Sequence, residues 1–388
     1  MMPATVTSSS ATRRTRTLGQ ALNEFRGVGP GFNTLRLGAA VAVLVSHAFD
    51  LAPSASAPEP MRHFSGGQSN LGGTAVYIFF MISGFLVTAS YFRSRSASEY
   101  VRKRASRILP ALLVVVLVTS CVLGPLLTPR PLAQYFSDEA FRAFLWNILF
   151  VGDPSLPGVF EQLPAPGIVN GSLWTLRYEV ICYILLAVVC SVGLCRHQRL
   201  FLAALVPLLV LGWWAKGQHL YTFAPLGIEF PYILRFLAYF AAGMALYVFK
   251  DHIILDSKLA VAALVLSIIF LRFGMYHLFF PLLGGYLVAF LGMQKSLDLA
   301  VIRERDYSYG FYLYAFPVQQ LVIAAAPSYA VWWTNILFSV PLTLILAMLS
   351  WHVVEKPALP LVRGAGTPTK LTVQPIPVLP RDVDARQT

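Results

Sequence analysis

Long apolar stretches, separated by short polar connections, recur along the whole chain. About ten of them are long enough, or nearly so, to cross a hydrocarbon layer of about 30 Å as a helix. We place these predicted spans at residues 33–52, 72–91, 108–127, 178–194, 200–215, 231–249, 258–272, 275–293, 308–326 and 332–353. The stretch from Phe141 to Val151 is too short to span alone and is interpreted as interfacial or re-entrant. The pattern predicts an all-α, polytopic membrane protein of about ten transmembrane helices.

The composition supports this assignment and narrows the function classes. Of the 388 residues, 56% are hydrophobic and only 12% are charged, against about 25% charged in soluble domains. This balance excludes a disordered chain, a coiled coil and an ordinary two-domain soluble enzyme. The four cysteines contain no CxxC pair and have no histidine at ligand spacing. We therefore expect packing cysteines rather than a disulfide framework or a metal site.

The positions of Lys and Arg predict the orientation in the membrane. On the ten-span scheme, 22 of the 30 basic residues fall on one side, six fall on the other, and Arg36 and Arg235 lie inside apolar segments. The positive-inside tendency then makes both termini cytoplasmic, and the net charge of +12 needs no nucleic-acid partner. We divide the chain into a flexible cytoplasmic tail (1–30), a transmembrane domain (31–357) and a second flexible cytoplasmic tail (358–388).

The first predicted span carries three ionisable side chains. Arg36 and His47 are eleven positions apart, which on an α-helix is three turns plus about 20°, so both lie on one face, about 16 Å apart along the axis. Asp50 follows His47 at i+3, close enough to orient the imidazole or raise its basicity. The structural alternatives are a snorkelling boundary arginine and a hydrogen-bonded interior histidine. The shared face favours a functional stripe.

Two further pairs of charged residues lie at the predicted membrane boundaries. Arg104 and Arg107 are spaced i and i+3 in a basic connection that ends at Pro110. Much of this charge sets topology, but the spacing also suits a phosphate clamp for a soluble anionic cofactor. Toward the other side, Glu179 lies near the outer end of the fourth span and Arg235 lies one turn into the sixth. They indicate either a polar outer vestibule or a structural ion pair.

Several motifs, taken in order, resemble the integral-membrane acyltransferase family 3. Arg36 and His47 are similar to the family's basic residue with a histidine eleven positions later. The other motifs are GGTAVYIFFMISGFLVT (72–88), RASRILP (104–110), SLWTLRYE (172–179), RFLAYFAAGM (235–244), SYGFYLYAFP (308–317) and SWHVVEKP (350–357). The set covers residues 33–357. One departure is Ala315, where family members commonly carry a histidine two residues before the proline.

The resemblance implies an enzyme, an O-acetyltransferase. It implies transfer of an acyl group, usually acetyl, from cytoplasmic acetyl-CoA or another acyl-CoA to a hydroxyl of a glycan, lipid-linked saccharide or secondary metabolite, without a metal. We expect a multi-pass protein of the bacterial inner membrane that acts on a surface polysaccharide or its lipid-linked precursor. A macrolide-type small molecule is the second candidate acceptor.

The catalytic assignments follow from the needs of this chemistry. A sugar hydroxyl is a poor nucleophile at neutral pH, and a positioned neutral imidazole removes its proton as it attacks the thioester. His47 is the predicted general base, with Asp50 as its support. Ser83, or the backbone around Gly84, is the predicted donor to the oxyanion that develops on the carbonyl.

The binding assignments use the charged residues at the membrane boundaries. Arg36, Arg104 and Arg107 are the predicted cofactor-binding residues, because planar guanidinium forks suit the phosphates of CoA. Glu179 and Arg235 are the predicted substrate-binding residues. These assignments rest on a polar tunnel, walled partly by the first helix, through which the donor reaches from the cytosol into the bilayer interior.

Two alternatives come from other function classes. A glycan or lipid transporter also explains ten spans and buried charges, but it predicts two related halves with matching interrupted spans, and no such pairing is visible in the sequence. A membrane scaffold, in which the charges only fix topology and packing, predicts little effect of a His47→Ala substitution beyond stability.

Overall fold

The computed structural model describes residues 16–25, 27–52, 58–215, 222–223, 227–327 and 330–359. Its helices are α1 (Leu18–Glu24), α2 (Phe32–Leu51), α3 (Pro60–Phe64), α4 (Leu71–Phe92), α5 (Ala97–Val118), α6 (Gly124–Leu127), α7 (Leu132–Ser137), α8 (Glu139–Leu145), α9 (Leu176–Ser191), α10 (Gln198–Trp214), α11 (Phe230–Val248), α12 (Ser257–Arg272), α13 (Tyr276–Gly292), α14 (Ser308–Ala325), α15 (Trp332–Ser350) and α16 (Lys356–Ala358). Four two-residue strands, β1 (Arg16–Thr17), β2 (Thr222–Phe223), β3 (Ile228–Glu229) and β4 (Ile254–Leu255), form two antiparallel pairs, β1 with β4 and β2 with β3.

The helices have the length and apolar character of membrane spans. Among the described residues, six helical segments are long and apolar enough to cross a membrane: Phe32–Leu51, Leu71–Phe92, Ala97–Leu127, Leu173–Ser191, Phe230–Val248 and Trp332–Ala358. Two shorter apolar helices are Gln198–Trp214 and Tyr276–Gly292. These segments confirm an all-α membrane protein, whereas the ten crossings and the cytoplasmic termini stay predictions.

Helix α4 packs closely against α11 through two glycines. A Cβ atom added to Gly84 would lie 2.0 Å from the Phe240 carbonyl oxygen, and one added to Gly243 would lie 2.1 Å from that of Met81. Small residues let membrane helices approach to backbone contact, where van der Waals packing replaces a hydrophobic driving force. Beside this seam the Phe80 and Phe236 rings stack at 4.4 Å. The seam therefore fixes how the side chains of α4 and α11 meet.

A second packing layer joins α14 to α2 and α15. Its buried members include Ala40 and Leu44 of α2, Phe311 and Ala315 of α14, and Ala347 of α15. Ala315 is only 1% exposed in this layer. The position that departs from the family pattern is therefore a packing position in this chain.

Two predicted boundaries differ from the structure. Residues 16–25, within the predicted flexible tail, are folded, because the Thr17 hydroxyl caps α1 and three apolar side chains of α1 are buried. Residues 1–15 and 360–388 of the two predicted tails lie outside the described residues. The basic connection before Pro110 is mostly helical, because the Ser96 hydroxyl accepts the Glu99 N–H at 3.2 Å and starts α5 eleven residues early.

The expectation that all four cysteines only pack is wrong for two of them. Cys190 and Cys195 form a disulfide, with a Cα–Cα distance of 5.0 Å. Gly193 adopts a φ of +84° between them, a conformation that favours glycine and turns the chain after α9. Cys121 and Cys182 are free. The spacing of five residues reaches bonding distance only because of this turn, which the absence of a CxxC pair does not reveal.

The glycine seam predicts a selective sensitivity to methyl groups. Gly84→Ala places a Cβ against a backbone carbonyl that cannot rotate away, so we expect a loss of about 1 to 3 kcal/mol in stability. Gly38→Ala in α2 is the matched control, because nothing lies within 4 Å of the added atom. Thermal unfolding of the purified protein in detergent measures both variants. Equal unfolding midpoints would contradict the close approach of α4 and α11.

Candidate active site

Two adjoining cavities lie along helix α2. The first, which we name the His47 chamber, has a volume of about 340 Å³ and contains His47 and Asp50 from the C-terminal half of α2. The second, which we name the Arg107 chamber, has a volume of about 60 Å³ and contains Arg36 from the N-terminal half of α2. The stripe predicted on α2 therefore faces a cavity at each of its ends.

The two chambers share a wall of three side chains. Val76, Thr175 and Tyr312 line both of them. The Thr175 and Tyr312 hydroxyls are hydrogen-bonded at 2.7 Å, and both residues are buried. The two chambers therefore adjoin at a border that carries two hydroxyl groups, where α14 and the short helical turn before α9 meet. The single continuous tunnel stays a prediction.

The Arg107 chamber is bordered by a buried charge network centred on Asp306. The Asp306 carboxylate accepts hydrogen bonds from Arg36 and from Arg107, the latter at 2.5 Å. Arg107 also contacts Glu355 at 3.2 Å, and Ser350 donates to the other oxygen of Glu355 at 3.0 Å. A π-helical turn, Trp351–Glu355, follows α15 and ends at this carboxylate. Two guanidinium groups thus meet two carboxylates.

The position of Asp306 just before α14 explains its charge state. Burial raises the pKa of a carboxyl group, but Arg107, Arg36 and the Ser308 hydrogen bonds together hold the pKa of Asp306 below its ordinary value. The Ser308 N–H and hydroxyl both donate to Asp306 at the start of the helix. The stabilisation from this charge is therefore present at neutral pH and is lost only as the pH falls through the lowered pKa.

His47 reaches its chamber from α2 with one ring nitrogen free. Its Nδ1 atom is buried and has no hydrogen-bond partner, and the ring packs edge-on against Phe316 of α14, with centroids 5.3 Å apart. An imidazole held by packing rather than by a hydrogen bond keeps a lone pair available for a proton. This is the property that a general base needs.

Asp50 lies near enough to His47 to interact with it electrostatically, but its hydrogen bonds go to another residue. Its two carboxylate oxygens accept hydrogen bonds from Arg62 at 2.8 and 3.1 Å, a bidentate pair. Helix α3 brings Arg62 over the end of α2, and the guanidinium takes both carboxylate oxygens. Asp50 thus lines the His47 chamber as part of an ion pair with Arg62.

Ser83 and Glu179 form a separate hydrogen-bonded group. The Ser83 hydroxyl contacts Glu179 at 3.2 Å and Tyr183 at 2.9 Å, and the Tyr183 hydroxyl donates to the same Glu179 oxygen. Glu179 lines the Arg107 chamber, and no ion pair joins it to Arg235 within the described part of the chain. The predicted vestibule pair is therefore divided between the chambers. Ser83 lines neither chamber, and Gly84 belongs to the packing seam. Neither of the predicted oxyanion donors therefore lies at the surface of these two chambers.

Arg104 differs from the other two predicted cofactor residues. Its guanidinium contacts the Ser90 hydroxyl at 3.2 Å and lies 6.0 Å from the centroid of the Tyr183 ring, and no described carboxylate pairs with it. Arg93, which also lacks a described carboxylate partner, is near enough to interact electrostatically with it. Arg36 and Arg107 each pair with a carboxylate, whereas the positive charge of Arg104 is not compensated by any carboxylate of the described residues.

Arg235 is the unbalanced cation of the His47 chamber. Its guanidinium lies 5.4 Å from the centroid of the Tyr232 ring and is close to the Tyr77 hydroxyl. Its Nε atom is buried without a hydrogen-bond partner. Trp174 and Phe236 complete an aromatic side of the chamber. The chamber thus combines aromatic faces, the imidazole of His47 and an arginine that pairs with no carboxylate of the described residues.

Three residues of the site were missed by the sequence assignments. Asp306, Thr175 and Tyr312 all lie in or directly beside the motifs SLWTLRYE and SYGFYLYAFP. A buried arginine is stabilised by an acidic partner, so an acidic residue close to a predicted helix start was a signal that could have identified Asp306. The pairing of two hydroxyls across a wall has no such signal, because it depends on how α14 and α9 pack.

Comparisons with known proteins identify the family of the chain. A family model described as an acyltransferase domain matches residues 30–352. An O-acetyl transferase of Shigella phage Sf6 is 35% identical over 332 residues, which is 84% of this chain and 94% of that protein. Nodulation protein 10 of Rhizobium leguminosarum bv. viciae is 29% identical over 366 residues, 89% of this chain and 97% of that protein. No solved structure matches the chain.

The Asp306 network predicts a strong and local stability effect. Asp306→Asn leaves Arg36 without an ion-pair partner, and breaking a buried pair costs about 3 to 5 kcal/mol. We expect a clear fall in the thermal unfolding midpoint in detergent. Asp298→Asn is the control, because Asp298 pairs with Arg303, whose side chain is 58% exposed, where an ion pair contributes about 0 to 1 kcal/mol. Equal midpoints for both variants would show that the network is not structural.

Proposed function

The chain belongs to the acyltransferase family 3 and is an O-acetyltransferase, and on that premise we propose that it moves an acetyl group from acyl-CoA to a hydroxyl of a saccharide acceptor, with His47 as general base. The observation that carries the proposal is the pair of adjoining chambers. One contains a free imidazole nitrogen, and the other lies beside an arginine without a carboxylate partner. A two-substrate transfer needs such an arrangement, because donor and acceptor must meet at one wall from different sites.

The acyl-transfer step needs a base beside the acceptor hydroxyl. We assign His47 Nδ1 this role, supported by its burial and by its lack of a hydrogen-bond partner. The imidazole takes the hydroxyl proton while the oxygen forms a bond to the thioester carbonyl carbon. As the carbon–sulfur bond breaks, the imidazolium returns the proton to the thiolate of CoA, so charge and protons balance. Such proton transfer typically contributes about 10²- to 10⁴-fold in rate.

The carbonyl oxygen that becomes negative needs hydrogen-bond donors. We assign Thr175 and Tyr312 as the donors, because their hydroxyls line both chambers and are the polar groups of the wall. In the present conformation they bond to each other, so turning toward an oxyanion costs that bond. These two replace Ser83 in the assignment, since the Ser83 hydroxyl is engaged by Glu179 and Tyr183. Direct transfer needs no acyl-enzyme.

The phosphates of the donor need a cation that the protein has not already neutralised. Arg104, with Arg93 nearby, meets this requirement, whereas Arg36 and Arg107 are each paired with a carboxylate. We therefore assign donor-phosphate binding to Arg104. Arg36 and Arg107 take the role of positioning residues that hold α2, α5 and α14 around the Arg107 chamber.

The acceptor is proposed to be a glycan or a lipid-linked saccharide. The aromatic side of the His47 chamber, with polar groups at its rim, suits the alternating apolar and hydroxyl faces of a sugar ring. A volume of about 340 Å³ lies near the lower end of ligand pockets. This size fits a short saccharide better than a macrolide-sized ring. The relatives come from a phage of bacteria and from a bacterium, which supports a bacterial inner membrane location.

The base assignment predicts a loss of transfer without a loss of fold. His47→Gln removes the proton acceptor, so we expect the rate of acetyl transfer from radiolabelled acetyl-CoA to drop about 10²- to 10⁴-fold. The matched control is His252→Gln, an exposed histidine outside both chambers. Unfolding midpoints of both variants check that the fold is intact. A folded His47→Gln protein that transfers at the unaltered rate would remove His47 from the mechanism.

The donor assignment separates Arg104 from its neighbours on the same helix. We expect Arg104→Gln to weaken acyl-CoA binding by about tenfold or more at low salt, since charge-assisted hydrogen bonds to phosphate contribute about 1.5 to 3 kcal/mol. Arg102→Gln is the control, because Arg102 is exposed on α5. Binding is followed by isothermal titration with the purified protein. Equal weakening in both variants would indicate unspecific attraction rather than a site at Arg104.

A further inference from the structure

The His47 chamber has an uncompensated positive charge. Of its charged lining residues, Asp50 and Arg62 neutralise each other as a bidentate pair, and Arg235 alone has no carboxylate within ion-pair distance among the described residues. Only Asp382 and Asp384 are acidic residues outside the described part of the chain, in the predicted C-terminal tail. The acids described by the structure therefore leave Arg235 unpaired.

An unpaired arginine in such a chamber is costly. Arg235 is half-buried, so part of the cost of removing a guanidinium from water without a counter-charge applies to it. The Tyr232 ring and the Tyr77 hydroxyl offset part of this cost, but the Nε atom stays without a hydrogen-bond partner. A ligand with a negative group would complete the set, because a carboxylate or phosphate accepts two parallel hydrogen bonds from a guanidinium.

The cation and the imidazole enter the chamber from different helices. His47 is on α2 and Arg235 is on α11. Two further lining residues, Trp174 and Tyr232, contact edge-on, with ring centroids 4.9 Å apart. A sugar ring that packs against this aromatic surface keeps the polar groups at its edges available. One hydroxyl of the sugar can then lie beside His47 while another part of the molecule contacts Arg235.

We propose that the acceptor held in the His47 chamber carries an anionic group, a carboxylate or a phosphate, that pairs with Arg235. This inference deepens the proposed function and rests on it for the identity of the acceptor site. A carboxylate would belong to an acidic sugar, and a phosphate would belong to a sugar phosphate or to the carrier of a lipid-linked saccharide. Both share the chemistry that the guanidinium recognises.

Binding of small sugar probes tests the inference without any catalysis. Glucose, glucuronate and glucose 1-phosphate are titrated at low salt and without acyl-CoA into the purified full-length protein in a zwitterionic detergent. We expect at least one anionic probe to bind tenfold or more tightly than glucose. Stronger binding of glucuronate indicates an acidic sugar, and stronger binding of glucose 1-phosphate indicates a phosphate.

Two variants at Arg235 and one control locate the effect. Arg235→Gln is expected to remove the preference for the anionic probe while leaving glucose binding unchanged, and Arg235→Lys keeps the charge and part of the preference. Arg142→Gln is the control, because Arg142 is exposed on α8 and lines neither chamber. The unfolding midpoint of each variant is measured, and Arg235→Lys supports the test if Arg235→Gln does not fold.

The outcomes separate this inference from the proposed function. Equal binding of all three probes, no binding of any at millimolar concentration, or a preference that persists in a folded Arg235→Gln protein would each overturn the anionic acceptor. Acetyl transfer is assayed separately with radiolabelled acetyl-CoA. An Arg235-dependent preference in a protein that transfers no acetyl group would support the anion site and remove the proposed reaction, whereas transfer without the preference would do the reverse.

Discussion

The Asp306 carboxylate is the constraint around which the site is built. Charged side chains within an apolar helical bundle are costly unless they are paired, and Asp306 pairs with Arg36 and Arg107 at once. These partners lie on α2 and α5, while Asp306 itself immediately precedes α14. One carboxylate thus ties three distant parts of the chain together. Because Glu355 takes the second contact of Arg107, the end of α15 is fixed to the same point.

This neutralisation decides which cations remain for ligands. Sequence spacing treats Arg36, Arg104 and Arg107 alike, but two of them are occupied by acids of the protein itself. The charges left over are Arg104 beside one chamber and Arg235 in the other. In the proposed reaction, each of these two arginines would bind one of the substrates. The α4–α11 seam contributes to the second anchor, because it sets Tyr77 of α4 close to Arg235 of α11.

The sequence predicts the membrane architecture well and the site only in part. Hydropathy locates helices such as α2 and α4 within a residue or two of their ends, because lipid requires long apolar segments. Helical geometry also predicts that Arg36 and His47 face cavities from one helix. The partners of those residues are set by tertiary packing instead. Asp50 lies three residues from His47 and yet bonds to Arg62, since a guanidinium fork outcompetes a single imidazole contact.

The start of α5 and the hydrogen-bond partners of Ser83 are two further features that the sequence does not predict. The hydropathy pattern predicts a basic loop before Pro110, but a serine cap and good helix formers extend the helix through it. The two differ because polarity and helix propensity are different properties. Ser83 belongs to a motif that resembles the family signature, but a motif does not tell whether a hydroxyl points into a cavity or toward a neighbouring carboxylate. Only the packing of α4 beside α9 decides that its partners are Glu179 and Tyr183.

In the proposed reaction, a wall between the chambers would limit hydrolysis of the donor. An acyl thioester held in a polar, open tunnel would be exposed to hydrolysis, since the same base that activates a sugar hydroxyl also activates water. In this structure Val76 and the hydrogen-bonded pair Thr175 and Tyr312 line both chambers. Opening that bond costs little more than one hydrogen bond, about 0.5 to 1.5 kcal/mol net. An oxyanion that accepts hydrogen bonds from both hydroxyls would offset the loss of this bond in the transition state. The same two hydroxyls are therefore suited both to line the wall and to stabilise the transition state of the proposed reaction.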